Sequence, residues 1–289
     1  MAGHRPSGRL SIRRRELRRA RRQAGPQGLT KKVLISGGHS VLGRGLSDRL
    51  RNDGYEVWQG SRRAVDAPFS CLMDVADAAQ VRSAVEAVQP SLIFHLAASY
   101  EREFQTAFDV NVNGARHVIE AVADLKIASR ILVMGSAAEY GVVEPEENPV
   151  SENRSTKPVS IYGMTKAWQT MWCQKQALEG HDVVVARMFN LDAPGLPCRL
   201  FLGNLERMIA AVMSGQRARI ETGPLSATRD YIGLHQAIDQ LLAIARAGIR
   251  GSVYHVASGR PITMRQLLEK QLASAGLGAD LVDENTASG

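Results

Sequence analysis

The chain has 289 residues, 44% hydrophobic and 22% charged, the balance of an ordinary soluble protein long enough to bury a sizeable core. No apolar run approaches the roughly 20 residues of a membrane span, and the N-terminus lacks the apolar stretch of a secretory signal. The net charge of +7 is local: residues 1–30 hold nine arginines against the single acid Glu16, and the remainder carries 27 basic and 28 acidic residues.

Three cysteines, Cys71, Cys173 and Cys198, show no paired spacing. That argues against a disulfide framework or a metal site and for a reducing, cytoplasmic setting. The basic arm ends in Gly25-Pro26-Gln27-Gly28, a breaker cluster that reads as a linker. Residues 12–24 can form a helix, but Ile12 and Leu17 are its only large apolar residues. The arm, residues 1–30, is therefore expected to be a mobile, solvated segment ahead of one domain over 31–289. Its charge suits nucleic acid, yet no aromatic interleaves the arginines to stack on bases, so a nucleic-acid partner is not expected.

From residue 31 the pattern becomes regular. Residues 33–36 are an apolar run followed at once by glycines. Leu42, Leu46 and Leu50 then recur at helical spacing, with Gly54 as a stop. Residues 56–59 read as a second strand, and Cys71-Leu72-Met73 as a third, ending on Asp74. Val81, Ala84, Val85 and Val88 mark a helix, 91–96 a strand, Ala115, Val118, Ile119 and Val122 a helix, and 130–134 a strand. Residues 165–178 are helical and 182–186 a strand. This alternation predicts an α/β fold with a Rossmann-type, doubly wound, mostly parallel sheet. Apolar runs such as Val33-Leu34-Ile35 and Val183-Val184-Val185 fit strands buried on both faces. Returning strands are expected near 231–233 and 253–256, so the dinucleotide-binding part spans about 31–186 plus 228–258. A small interleaved C-terminal lobe, about 187–227 and 259–289, would cover the substrate.

Gly37-Gly38-His39-Ser40-Val41-Leu42-Gly43 joins the first strand to the first helix. Glycines there permit a tight turn, and the helix start offers free N–H groups to a pyrophosphate. Leu96-Ala97-Ala98 follows the fourth strand, where small residues leave room for a nicotinamide ribose. The second strand lacks the terminal acid that would bind a free ribose 2′-hydroxyl. Instead Gln59-Gly60-Ser61-Arg62-Arg63 offers two guanidiniums to a 2′-phosphate, which favours NADP over NAD.

Ser136 ends the fifth strand, and Tyr162-Gly163-Met164-Thr165-Lys166 opens the next helix. Positions i and i+4 share a helix face, so Tyr162 and Lys166 converge. Reducing a carbonyl requires a proton at oxygen as hydride reaches carbon. A phenol with a pKa near 10 does this poorly alone, and a nearby ammonium is expected to favour its ionised form. A serine hydroxyl polarises the same oxygen.

As an ordered set these motifs resemble the extended short-chain dehydrogenase/reductase family, the NAD-dependent epimerase/dehydratase group. The resemblance rests on the glycine loop, Asp74-Val75, His95-Leu96-Ala97-Ala98, Asn111-Val112-Asn113-Gly114, Gly135-Ser136-Ala137-Ala138-Glu139-Tyr140-Gly141, the Tyr162/Lys166 pair and Arg187-Met188-Phe189-Asn190. It covers residues 32 to about 270. Within the family the chain is most similar to the GDP-4-keto-6-deoxy-mannose reductases, through Lys157-Pro158-Val159-Ser160-Ile161-Tyr162, Leu225-Ser226-Ala227-Thr228-Arg229-Asp230-Tyr231 and Val253-Tyr254-His255-Val256. The resemblance implies Tyr162 as acid/base, Lys166 as its modulator and a ribose ligand, and Ser136 with Ala137 beside the substrate carbonyl. It implies that Asp74 and Val75 hold the adenine, that Asn111 and Met188 line the cofactor, and that Asn190 and Arg229 approach the substrate's diphosphate. It also implies a homodimer through the helices carrying 111–122 and 162–178, with Trp168 and Trp172 as either interface anchors or core.

The chain departs from the family pattern at four places. Ser40 replaces the middle glycine of GxxGxxG and would either crowd the pyrophosphate or donate to it. Ala138 stands where the dehydratases place a glutamate, which argues against elimination of water. Gly233-Leu234-His235-Gln236 replaces an aspartate-rich stretch, and a further C-terminal substrate-binding segment is expected to be missing. The expected activity is NADPH-dependent reduction of a keto group on a nucleotide-activated deoxysugar. The alternatives are a nucleotide-sugar 4-epimerase with tightly held NAD and, in another class, a non-catalytic dinucleotide-binding scaffold.

Overall fold

The computed structural model describes residues 31–285; the basic arm and residues 286–289 lie outside the described residues. The strands of the main sheet are β1 (Lys32–Ser36), β2 (Glu56–Ser61), β3 (Ser70–Leu72), β4 (Leu92–His95), β5 (Arg130–Ser136), β6 (Val183–Met188) and β10 (Val253–Val256). They lie in the order β10-β6-β5-β4-β1-β2-β3, every pairing parallel. The chain runs outward from β1 in both directions, so the sheet is doubly wound and a crevice opens at the carboxyl ends of β1 and β4.

The helices pack on both faces because the strands are apolar on both. Helices α1 (Val41–Asn52) and α7 (Leu234–Ala247) cover one face, burying Leu46, Leu50, Ile238 and Leu241 against Val33, Ile35 and Phe94. On the other, α2 (Ala78–Val88), α4 (Gly114–Asp124) and α5 (Ile161–Leu178) bury Val81, Val85, Val118, Ile119 and Cys173 against Leu34, Ile93 and Ile131. Each such side chain contributes about 1.5–3 kcal/mol on full burial. Short α3 (Phe104–Phe108) enters α4 through a π-helical turn, Asp109–Asn113, a rare geometry often found at functional sites.

A third core forms the smaller lobe. Helices α6 (Phe201–Met213) and α8 (Met264–Ser274) bury Leu205, Leu267, Leu268 and Leu272 with Ile220 and Leu225. Two minor sheets belong here: β8 (Ile220–Thr222) with β12 (Val282–Glu284), and β7 (Asn190–Asp192), β9 (Thr228–Gly233) and β11 (Pro261–Thr263) in the order β11-β9-β7. The strand expected near 231–233 is thus real, but it does not return to the main sheet. It pairs with β7 and β11 instead, because β10 already closes that edge on β6. No helix among the described residues is long and apolar enough to cross a membrane.

Candidate active site

The glycine loop leaves β1 at the crevice. Gly37 has φ +68°, a left-handed turn, and a Cβ on it would sit 3.0 Å from the Ala97 backbone nitrogen. Gly43 is held tighter still: a Cβ there would meet the Gly37 and Gly38 carbonyl oxygens at 2.5 and 2.7 Å. The loop therefore folds directly onto the first turn of α1. Ser40 is exposed at the start of α1. Its Oγ accepts from the Gly43 N–H at 3.0 Å and caps α1, as serine does at helix starts. The N–H groups of Val41 and Leu42 have no partner among the described residues, and they are the ones a helix start offers to an anion. A dinucleotide pyrophosphate fits this cradle, with His39 and Ser40 on its rim.

At the end of β2, Gln59 donates from Nε2 to the Gly38 carbonyl at 2.8 Å and so braces the loop. Arg62 and Arg63 are exposed just beyond it and form no ion pair among the described residues. Asp74 does not cap the following helix. Asp77 does that, accepting from Ala79 and Gln80 N–H. Asp74 instead turns the chain through a 3.0 Å bond from Ala76 N–H to its Oδ1, half-buried beside Val75.

Leu96, Ala97 and Ala98 lie half-buried at the end of β4. Below them His95 bonds Ser36 Oγ through Nδ1 at 2.9 Å, and burial beside Lys166 pushes its pKa down to about 3, so it is neutral. Asn111, fully buried in the π turn, does not face the cofactor side with free groups. Both of its amide protons are engaged, on the Ser99 carbonyl and on Thr165 Oγ1, each at 2.9 Å, while its Oδ1 accepts from Ser99 N–H at 2.8 Å. These bonds make Asn111 a strut that ties the post-β4 loop to α5.

Helix α5 starts at Ser160, whose Oγ accepts from Gly163 N–H at 3.1 Å. This start lies against the turn after β5 so closely that a Cβ on Gly163 would be 2.5 Å from the Ala138 carbonyl oxygen. Tyr162 and Lys166 thereby face the end of β5, where Ser136 sits half-buried. Lys166 is fully buried and donates from Nζ to the Met134 carbonyl. Desolvation lowers its pKa to about 8, against a pull upward from Glu139. The Tyr162 phenol runs opposite to the sequence expectation. Burial and the adjacent Tyr100 raise it well above 10, and a hydrogen bond from Ser136 only partly offsets them. Low dielectric, rather than the ammonium, governs the proton in this state.

Beneath Ser136 lies a buried network formed by Glu139, Arg187, Tyr140 and His255. Glu139 is completely buried; its Oε1 accepts from Ser136 N–H at 2.7 Å and its Oε2 from Arg187 Nη2 at 2.6 Å and Nε at 3.0 Å. Arg187 also donates to the Tyr140 hydroxyl at 2.7 Å, and that hydroxyl bonds His255 Nε2 at 2.6 Å. The signal in the sequence is an arginine directly after the apolar run Val183-Val184-Val185-Ala186, still inside β6, since a buried cation requires a partner.

Toward the lobe, Met188 pairs with Ser136 across β5 and β6. Asn190 donates to the Asp230 carbonyl at 2.9 Å. Arg229 is exposed, and among the described residues its hydrogen bond goes to its neighbour's carbonyl, on Thr228. Asp230 does not neutralise it, because that carboxylate accepts from Ser258 and Gly259 N–H at 2.8 and 2.7 Å. Trp168 and Trp172 separate: Trp168 is 38% exposed in an aromatic cluster with Phe104 and Phe108, whereas Trp172 packs against the buried core.

The profile of the NAD dependent epimerase/dehydratase family matches residues 33–257. The chain is 26% identical over 260 residues to a dTDP-6-deoxy-L-talose 4-dehydrogenase (NAD(P)(+)) of Kitasatospora kifunensis, covering 87% of this chain and 81% of that one. It is 26% identical to a GDP-6-deoxy-D-mannose reductase of Pseudomonas aeruginosa over 68% of this chain and 66% of the relative. Its fold matches the solved structure of RMD from Pseudomonas aeruginosa complexed with NADPH at a TM-score of 0.79, with 22% identity over 91% of this chain and 87% of that one.

Proposed function

The chain belongs to the NAD dependent epimerase/dehydratase family, and on that premise we propose that it reduces a keto group on a nucleotide-linked deoxysugar with NADPH. The observation that carries this reading is the disposition of carboxylates around Ser136. Position 138 is alanine, and Glu139 is turned inward with both oxygens engaged. Among the described residues no carboxylate beside Ser136 is available to abstract a carbon-bound proton, as elimination would require, while the Ser136, Tyr162 and Lys166 set needed for carbonyl reduction is complete. A reductase and a dehydrogenase among the relatives point the same way.

The bound nicotinamide would exchange hydride with the carbon that bears the oxygen. Tyr162 hands its phenolic proton to that oxygen, and its raised pKa keeps it protonated at neutral pH. Ser136 Oγ donates to the same oxygen. Lys166, with a pKa about 8, stands close enough to neutrality to return a proton to Tyr162. Val41 and Leu42 N–H hold the pyrophosphate. Arg62 and Arg63, uncommitted at the end of β2, favour the 2′-phosphate of NADP. Arg229 and Asn190 reach toward the substrate's diphosphate. A homodimer would cover the aromatic cluster on α3 and α5, where Phe104, Trp168 and Met171 are 41%, 38% and 59% exposed.

Purified protein assayed with NADPH against GDP-, dTDP- and UDP-linked 4-keto-6-deoxy sugars tests this. Turnover of one of them, falling about 10²–10⁴-fold in Tyr162→Phe, is the expected result. Failure to bind NADPH overturns the proposal, and so does copurified NAD that cycles without net consumption, the mark of an epimerase.

A further inference from the structure

Tyr100 follows the loop that leaves β4, and no sequence motif singles it out. Its chain springs from a fixed point, since Ser99 is pinned to Asn111 through both its N–H and its carbonyl. Beyond that anchor the Tyr100 side chain is 40% exposed. Its ring nevertheless lies stacked on Tyr162, centroids 4.4 Å apart and planes 18° from parallel. The guanidinium of Arg199 sits over the Tyr100 ring, 4.7 Å from its centroid. Arg199 belongs to the turn between β7 and α6, on the lobe, and among the described residues no carboxylate pairs with it.

This is an unexpected position for a ring beside a proton donor. Tyr162 must present its phenol to an incoming oxygen, and a parallel ring at stacking distance occupies the space next to it. The ring is held by the stack, by the Arg199 cation and by a side-chain hydrogen bond to Tyr162, each a modest contact at a partly exposed residue. The cation that holds it has a better partner in a phosphate, to which a guanidinium makes charge-assisted, bidentate bonds.

We infer that Tyr100 is a specificity-determining residue that covers the catalytic tyrosine, and that Arg199 is a latch which an anionic substrate releases. The inference rests on the reading of a nucleotide-linked substrate. Such a substrate carries its diphosphate across one sugar ring from its keto group. The diphosphate takes Arg199 as the carbonyl approaches Tyr162, and Tyr100 loses its latch as the sugar arrives. A neutral ketone brings no anion and meets a covered tyrosine. Selection is then made at the acid itself, in addition to any contact with the base.

The test is the rate at which N-acetylimidazole acetylates each tyrosine of the full-length protein, followed by peptide mass spectrometry. In the wild type Tyr100 reacts and Tyr162 is slow. Arg199→Ala speeds Tyr162 by about two- to fivefold, the weight of one exposed cation–π contact. Arg199→Lys restores part of the protection, because an ammonium also sits on a ring, and Tyr100→Ala removes it. GDP, used as the probe, speeds Tyr162 in the wild type and has no effect in Arg199→Ala. Equal Tyr162 rates in the wild type and Arg199→Ala, with unchanged melting temperatures, overturn the latch. A response to Arg199→Ala without any response to GDP, in protein that turns over a nucleotide-linked ketone, overturns release by the anion. If no such ketone is turned over, the functional reading fails, and the Arg199→Ala comparison still decides the latch.

Discussion

Replacing Lys166 with methionine should make the protein more stable at neutral pH while abolishing its activity. Lys166 is fully buried, and its pKa falls from 10.5 to about 8. At about 1.4 kcal/mol per pKa unit, keeping the ammonium in that site costs about 3 kcal/mol of stability. Methionine removes the charge, matches the lysine stem out to Cε and leaves the Met134 carbonyl without its donor, a loss of about 1 kcal/mol. The net gain near pH 7 is therefore about 2 kcal/mol. The sign with pH follows from linkage. Between pH 8 and 10.5 the unfolded chain binds more protons at this lysine than the folded one, so stability of the wild type rises with pH there. The advantage of Lys166→Met is full below pH 8 and is lost by pH 10.5. Urea unfolding of both proteins at 25 °C, at several pH values across that window, measures it. A variant less stable than the wild type at pH 7, or a difference that stays constant from pH 7 to 10.5, would refute the reasoning.

Three further outcomes are expected. Glu139→Gln leaves the buried Arg187 guanidinium without its countercharge, which costs about 3–5 kcal/mol, read as a lower urea midpoint. Gly43→Ala drives a methyl group into the Gly37 and Gly38 carbonyls. Calorimetry should find dinucleotide affinity sharply reduced, while unchanged affinity would show that the loop does not hold the pyrophosphate. Arg62→Ala with Arg63→Ala should lower the preference for NADPH over NADH by about tenfold or more, the loss of one or two charge-assisted bonds; an unchanged ratio of kcat/KM for the two cofactors would place the 2′-phosphate elsewhere.

The alternation of strands and helices was readable in the sequence because each parallel strand is buried on both faces, leaving uninterrupted runs such as Val33-Leu34-Ile35. The pairing of Tyr162 with Lys166 was readable because helical geometry alone puts i and i+4 on one face. The glycine loop was readable because only glycine tolerates the contacts found at residues 37 and 43. The capping role of Ser40 was not readable in the sequence, since it depends on where α1 begins. The bonds of Asn111 to Ser99 and Thr165 were not readable, because they cross 12 and 54 residues of chain.

Periodicity and spacing are local, and they were enough for the alternation of strands and helices and for the shared helix face of Tyr162 and Lys166; they did not tell β9, which pairs with β7 and β11, from a strand of the main sheet. Tertiary structure decided how tightly Tyr162 and Lys166 hold their protons and what stands in front of them. Tyr162 takes a raised pKa from burial and from Tyr100, 62 residues earlier in the chain. Glu139 acquires its role from Arg187, 48 residues later. Such effects fall off over a few ångströms and follow local dielectric, so they exist only once the fold has brought distant segments together.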